Sequence, residues 1–239
     1  QEQAVLSWQD IPHVDTLSVE LGFRLVYLAD KEKGEELAKT IRGMRKSLSE
    51  QLGFLLPEIR VKDNLNLNPQ EYKIKLAGVA VASAQLNAKQ LLALNTGDTY
   101  GQLDGELTTD PAYGLEAVWV DEQNKAKALN MGYSVVDLAT VIATHMGKVI
   151  KEHLDELFSY EDIQNLHERL KAVSPSLADA LEKSLPINLQ LKVMRMLLKE
   201  HVAIGDIVTI AGTLVDSIEV TKDPILLAAD VRCALKRVL

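Results

Sequence analysis

The sequence predicts an α+β protein of several subdomains. A mixed α/β first subdomain carries a small α+β insert, and an all-helical subdomain follows. Three observations lead there. Short runs with alternating apolar character are confined to the chain before residue 137. A glycine-studded stretch, Gly97, Gly101 and Gly105, changes the texture between two such groups of strands. Beyond residue 158 the apolar residues recur only at helical spacing.

Residues 1 to 15 read as a linker, with Trp8 and Ile11-Pro12 as docking points. "FRLVYL" (23–28) reads as a short strand. Residues 32 to 52 read as an amphipathic helix: Leu37, Ile41, Met44, Leu48 and Leu52 repeat every three or four positions, and Gly53 ends it. "EIRVKDN" and "EYKIKLAGVAVAS" supply strands, and "QLLALN" opens the insert.

The turn Asp110-Pro111-Ala112-Tyr113-Gly114 follows, then a strand over 115–120, a short helix near 122–130 and the strand "YSVV". Asp and Pro favour turns through their backbones, and Gly114 can supply a positive φ. Tyr113 serves none of these ends. It is either a plug folded back on the core or part of a surface that something else touches.

Residues 138 to 157 predict one helix with the stripe Leu138, Val141, Ile142, Met146, Val149, Ile150, Leu154 and Leu157. Thr144 lies nearly opposite the centre of that stripe, with Thr140, Gly147, Lys148 and Lys151 on its side, so Thr144 is expected to be exposed. Helices follow over about 160–171, 175–183, 187–200, 206–218 and 223–238. The 187–200 helix is apolar around much of its circumference and is expected at the centre of the bundle. The last helix runs into Leu239 with no stop signal, which predicts that the polypeptide continues.

Composition narrows the function classes. The chain has 239 residues, 47% of them hydrophobic, and a net charge of −8. That charge argues against a general nucleic-acid or anionic-membrane binder. Residues 187–218 have helix-turn-helix spacing, but acids and bases nearly cancel there. The single cysteine, Cys233, excludes an intramolecular disulfide and a multi-cysteine zinc site, and a reducing compartment is the default. The first residues lack a signal-peptide pattern, and no apolar run approaches the roughly 18 to 20 residues of a membrane helix, so a water-soluble chain is expected.

No catalytic pattern emerges. Gly-x-Gly-x-x-Gly, Gly-Lys-Ser/Thr and Gly-x-Ser-x-Gly are absent. His145 and His153 stand about two helical turns apart, too far to share an ion, and they and His167 read as structural. Cys233 sits among Ala and Leu and is expected in the core. Glu35-Glu36 and Asp155-Glu156 read as solvated helix residues. Nothing calls for a cofactor or a metal. A small-molecule enzyme with a cleft between insert and host stays as the alternative from another class.

Four separated phrases carry a resemblance: "LGFRLVYLADKEKGEELAKTIRGMRKSLSEQLGFLLPEIRVKDNLNL", "LTTDPAYGLEAVWV", "GYSVVDLATVIATHMGKVIKEHLDEL", and "LLKEHVAIGDIVTIAGTLVD" with "VRCAL" after it. Together they resemble the cytoplasmic C-terminal part of the type III secretion export-gate family, in its flagellar, FlhA-type branch. The injectisome branch, with the same role and virulence cargo, is the near alternative. The resemblance runs in order from about Trp8 to the end.

It implies a larger protein at the bacterial inner membrane: a multi-helix membrane part, a linker, and four cytoplasmic subdomains, the fourth absent here. Residues 1–15 would be linker, 16–88 with 138–157 the first subdomain, 89–137 the insert, and 158–239 the helical subdomain. It implies a nine-membered homo-oligomeric ring that works with other export-gate components and receives flagellar export chaperones with their bound substrates. The linker would meet the ATPase-stalk protein. The implied docking surface lies between the first two subdomains and falls on Asp110, Pro111, Tyr113, Gly114 and Thr144, with Tyr where the family commonly has Phe. Gly22 matches a family glycine and is either a hinge or a strand entry that needs no Cβ.

Overall fold

The computed structural model describes residues 5–237, so the first four residues of the expected linker lie outside the described residues, as do Val238 and Leu239. The chain divides into two compact units, Gln1–Ala38 with Pro57–Val141 and Lys39–Leu56 with Ile142–Leu239. Both sheets lie in the first unit, and the mixed helix-and-sheet class is as the sequence predicts.

The first sheet joins β1 (Leu17–Leu21), β2 (Ile59–Asp63), β3 (Glu71–Leu76) and β4 (Val79–Gln85) in the order β2-β1-β3-β4. β1 pairs parallel with β2 and antiparallel with β3. It went unpredicted, although its Leu-Ser-Val-Glu-Leu alternation carries the strand signal: Leu17, Val19 and Leu21 are buried, while Glu20 reaches Lys75 at 3.0 Å. "FRLVYL", by contrast, is not a strand. Phe23–Ala29 is a 3-10 helix that buries Leu25 and Leu28, and that spacing of three matches its period. Gly22 therefore follows a strand and does not start one. A Cβ there would meet the Asn68 carbonyl oxygen at 2.2 Å, so backbone crowding excludes any side chain.

The second sheet joins β5 (Leu91–Leu94), β6 (Glu106–Thr109), β7 (Glu116–Val120) and β8 (Ser134–Val136) in the order β6-β7-β5-β8. Ala93, Val118 and Val120 pack with Leu103 and with Ala128 of helix α2 (Lys125–Asn130) into a small core. The predicted 122–130 helix is thus a 3-10 turn at Glu122–Asn124 leading into α2.

In the second unit the helices are more broken than predicted. α1 spans Glu36–Leu52: Gly34 (φ +88°) and Glu35 (φ +48°) are left-handed and delay its start. Its far end is fixed tightly. Gly53 has φ +90°, and a Cβ there would meet the Gly205 nitrogen at 2.2 Å. Leu52 accepts a hydrogen bond from the Ile204 amide at 2.8 Å. The predicted 138–157 helix divides into α3 (Leu138–Glu152) and α4 (Leu154–Leu157) at His153, whose ring Nδ1 lies 2.8 Å from the Val149 carbonyl oxygen. Gly147 is buried on the face toward Met44 and Leu48, not on the open side with Thr144.

Five helices complete the unit: α5 (Tyr160–Val173), α6 (Pro175–Ser184), α7 (Ile187–Lys199), α8 (Ile207–Ser217) and α9 (Pro224–Lys236). α7 packs against α4, α5 and α9 and buries Leu191, Val193, Met194, Leu197 and Leu198, as its apolar circumference predicts. Phe54 and Phe158 meet edge to face at 5.1 Å. Cys233, expected in the core, is exposed: α9 buries Leu227, Ala228 and Val231 and turns Cys233 outward.

A candidate docking turn and its neighbours

The turn between β6 and β7 is built around one carboxylate. Asp110 Oδ2 accepts hydrogen bonds from the amides of Ala112 (3.1 Å) and Tyr113 (2.9 Å), and Oδ1 accepts from Leu115 (2.6 Å). Its own amide donates to the Leu115 carbonyl, and its carbonyl accepts from Gly114. Asp110 is accordingly only 8% exposed, its charge balanced by backbone dipoles. Gly114 has φ +70° with open space around a Cβ, so the residue is needed for its backbone angle and not for clearance.

With Asp110 and Ala112 turned inward, Tyr113 faces out: it is 56% exposed. Leu115 beside it is 40% exposed. The core-plug alternative for Tyr113 is therefore excluded. The buried tyrosine in this unit is Tyr72 of β3. Burial and then the Asp110 charge push its phenol well above the usual tyrosine range, which keeps it neutral.

Thr144 belongs to the second compact unit and is exposed on α3, flanked by buried Ala143 and His145. Trp8 sits on a one-turn 3-10 helix whose start is closed by Ser7, where the Ser7 amide donates to Asp10 Oδ2 at 2.7 Å. Trp8 is 88% exposed, and Val5, Leu6, Ile11 and Val14 are exposed with it.

Sequence reasoning passed over one polar pair. Glu36 opens α1 and Asp137 precedes α3, where Asp137 accepts from the Thr140 amide at 2.8 Å. A hydrogen bond to Asp137, then burial and the neighbouring charge, raise the Glu36 carboxyl above its usual range. Burial opposes the Asp137 charge, but hydrogen bonds from Thr140 and from Glu36 outweigh it and lower its pKa. The hydrogen bond between the two carboxyls moves their pKa values apart. His145 is buried, and His167 lies 3.6 Å from Glu182. Among the described residues no group of three His, Cys, Asp or Glu side chains could hold a metal ion, and no helix is long and apolar enough to cross a membrane.

This architecture is that of the cytoplasmic domains of type III export-gate proteins. CdsV of Chlamydia pneumoniae matches at a TM-score of 0.84 and 23% identity, over 96% of this chain and 73% of that one. In its complex with CdsO it matches at 0.83 and 24%, over 95% and 71%. Nonameric SctV-C of EPEC matches at 0.71 and 19%, over 95% and 67%. At these identities the likeness is one of fold.

The chain belongs to the FHIPEP family, which it matches over residues 1–239. It is 49% identical over 236 residues to the putative flagellar export/assembly protein LfhA of Escherichia coli O44:H18, covering 99% of this chain and 34% of that protein. To the flagellar biosynthesis protein FlhA of Escherichia coli K12 it is 38% identical over 234 residues, 98% of this chain and 34% of that protein. The chain thus spans about a third of the length of these relatives.

Proposed function

We propose that this chain is part of the docking platform of a flagellar type III protein export gate and that it binds export chaperones carrying their substrates, without catalysing a reaction. The observation that carries this is the turn at Asp110: its carboxylate is used up in building the turn, and the result is an outward Tyr113 with Leu115 beside it. A half-exposed aromatic on a rigid turn is the kind of residue that dominates binding energy. Pro111 and Gly114 hold the turn, and exposed Thr144 offers a second contact on its own unit.

The wider reading follows the relatives. The protein would work at the cytoplasmic face of the inner membrane, in a nine-membered ring, as nonameric SctV-C does. Exposed Trp8 and its apolar neighbours would meet the ATPase-stalk protein, a role paralleled by the CdsV–CdsO complex. The subdomain boundaries 16–88 with 138–157, 89–137 and 158–239 belong to the same proposal, with Gly22 as hinge. Flagellar rather than injectisome cargo is favoured because the relatives named as flagellar reach 49% and 38% identity while CdsV stands at 23%.

The test is calorimetric titration of the chain with flagellar export chaperone–substrate complexes. Tyr113→Ala should weaken binding by about 1 to 3 kcal/mol, roughly 5- to 150-fold, with the melting curve little changed. Unchanged binding per folded molecule would remove Tyr113 from the docking surface.

A further inference from the structure

A break between two helices of the second unit opens a cleft that the proposed function does not use. α6 ends at Ser184 and α7 starts at Ile187, with Leu185 and Pro186 between them. Ile163 and Glu168 of α5, Glu182 of α6, the Leu185-Pro186 link and Gln190 of α7 line the cleft, whose volume is about 510 Å³.

Gln190 is the built part of it. The residue is only 9% exposed. Its Nε2 donates to the Leu185 carbonyl at 3.0 Å, which fixes the amide. A carbonyl only accepts, so that partner identifies the nitrogen end, and the other end is Oε1. Oε1 accepts no hydrogen bond among the described residues. Nor is it sealed in protein, since no fully buried side-chain oxygen or nitrogen lacks a partner among the described residues. It opens on the space that Gln190 lines. Gln190 also borders a void of about 20 Å³, room for one water, so only the cleft can take a ligand there. A fixed, buried carbonyl oxygen requires a donor.

Charge decides what kind of donor. Glu168 and Glu182 line the cleft, and no lysine or arginine does. Glu168 enters no ion pair among the described residues. The basic residues of these helices are turned elsewhere: Lys183 pairs with Asp179 at 2.8 Å, and Arg195 donates to the Phe158 carbonyl at 2.9 Å. His167 is the other ionisable group of the lining, 3.6 Å from Glu182, and even when protonated it leaves one carboxylate in excess. The helix ends do not reverse this. The start of α7 carries about half a positive charge and the end of α6 about half a negative one, so they offset each other.

We propose that this cleft is a binding site for an alkylguanidinium cation. Its five N–H donors lie in one plane and can reach several acceptors together, here Gln190 Oε1 and the carboxylates of Glu168 and Glu182. Ile163, Leu185 and Ile187 supply apolar wall, which suits a weakly hydrated planar cation better than a strongly hydrated ammonium. The site is independent of the docking turn, which belongs to the other unit.

Amide chemical-shift titration of the ¹⁵N-labelled chain tests it, with N-acetyl-arginine amide as the probe. The signals of Gln190 and Ile187 should move saturably below about 10 mM. The citrulline analogue, the same shape without the charge, should bind at least about tenfold more weakly, and the lysine analogue about threefold more weakly. Joint replacement Glu168→Gln and Glu182→Gln, both at exposed positions, should weaken the arginine probe about tenfold with the melting curve unchanged. Gln190→Met should weaken it about fivefold. The double glutamine variant decides the matter even if loss of the Leu185 contact unfolds Gln190→Met. Agmatine and a capped Ala-Arg-Ala peptide distinguish the source: tighter agmatine marks a free small molecule, a tighter peptide marks an arginine side chain of another polypeptide, and either supports the site. Equal binding of arginine and citrulline probes, indifference to the double variant, or no saturable shift at the cleft would overturn the proposal.

Discussion

At the scale of single residues, Asp110 and Tyr113 divide one task. Asp110 faces inward with three amide partners, and Tyr113 is turned out by them. Asp110→Ala leaves those amides without acceptors in a nearly closed turn. It should cost about 2 to 3 kcal/mol of stability in chemical denaturation and, under the proposed function, weaken chaperone binding as a consequence. Thr144→Met, on an exposed position, should move stability by no more than about 0.5 kcal/mol in the same experiment. Tyr113 as an outward residue could not be decided from its neighbours in sequence, because Asp-Pro and Gly specify a turn whichever way the tyrosine points. The hydrogen bonds from Ala112 and Tyr113 to one carboxylate oxygen decide it.

At the scale of elements, helix ends carry the information that periodicity does not. The predicted 138–157 helix has an unbroken apolar stripe, yet it breaks at His153, where the ring nitrogen approaches the Val149 carbonyl and the chain leaves helical geometry. α1 ends because Gly53 must accept φ +90° against Gly205. Gly53→Ala should therefore cost about 2 to 3 kcal/mol, through strain and backbone collision together, read from urea unfolding.

The start of α1 yields a pH prediction. The raised carboxyl of Glu36 contributes stability when protonated, and that contribution is lost as pH rises through its folded pKa. The lowered Asp137 contributes when ionised, and loses that as pH falls through its own folded pKa. The hydrogen bond between them is thus held between the two folded pKa values. Above that of Glu36 both are charged and repel. Glu36→Gln keeps a donor for Asp137 without the charge. It should stabilise by about 0.5 kcal/mol at pH 7, a small value because Glu36 is exposed and screened. Thermal melts should show the gain shrinking as pH falls and Glu36 regains its proton.

For the whole molecule the prediction concerns assembly. In the nine-membered ring proposed above, a contact between free subunits must offset the full entropy of association. Sedimentation of the chain at micromolar concentration should show mainly monomer. A dominant nonamer there would mean that the contacts between subunits are strong enough alone.

The sequence by itself determined the class of fold, the strands confined to the first part of the chain, the helices after 158, the central place of α7 and the exposure of Thr144. Each rests on a local period of apolar residues, and burial follows period directly. The four phrases that resemble the export-gate family were equally readable. Only the tertiary structure decided that 23–29 is a 3-10 helix, that Cys233 is exposed, that Gly147 is buried against α1, and that Glu36 comes within hydrogen-bonding reach of Asp137. These depend on which segments, distant along the chain, come to lie against one another. A period shows that a face is apolar, but it does not show what comes to cover that face.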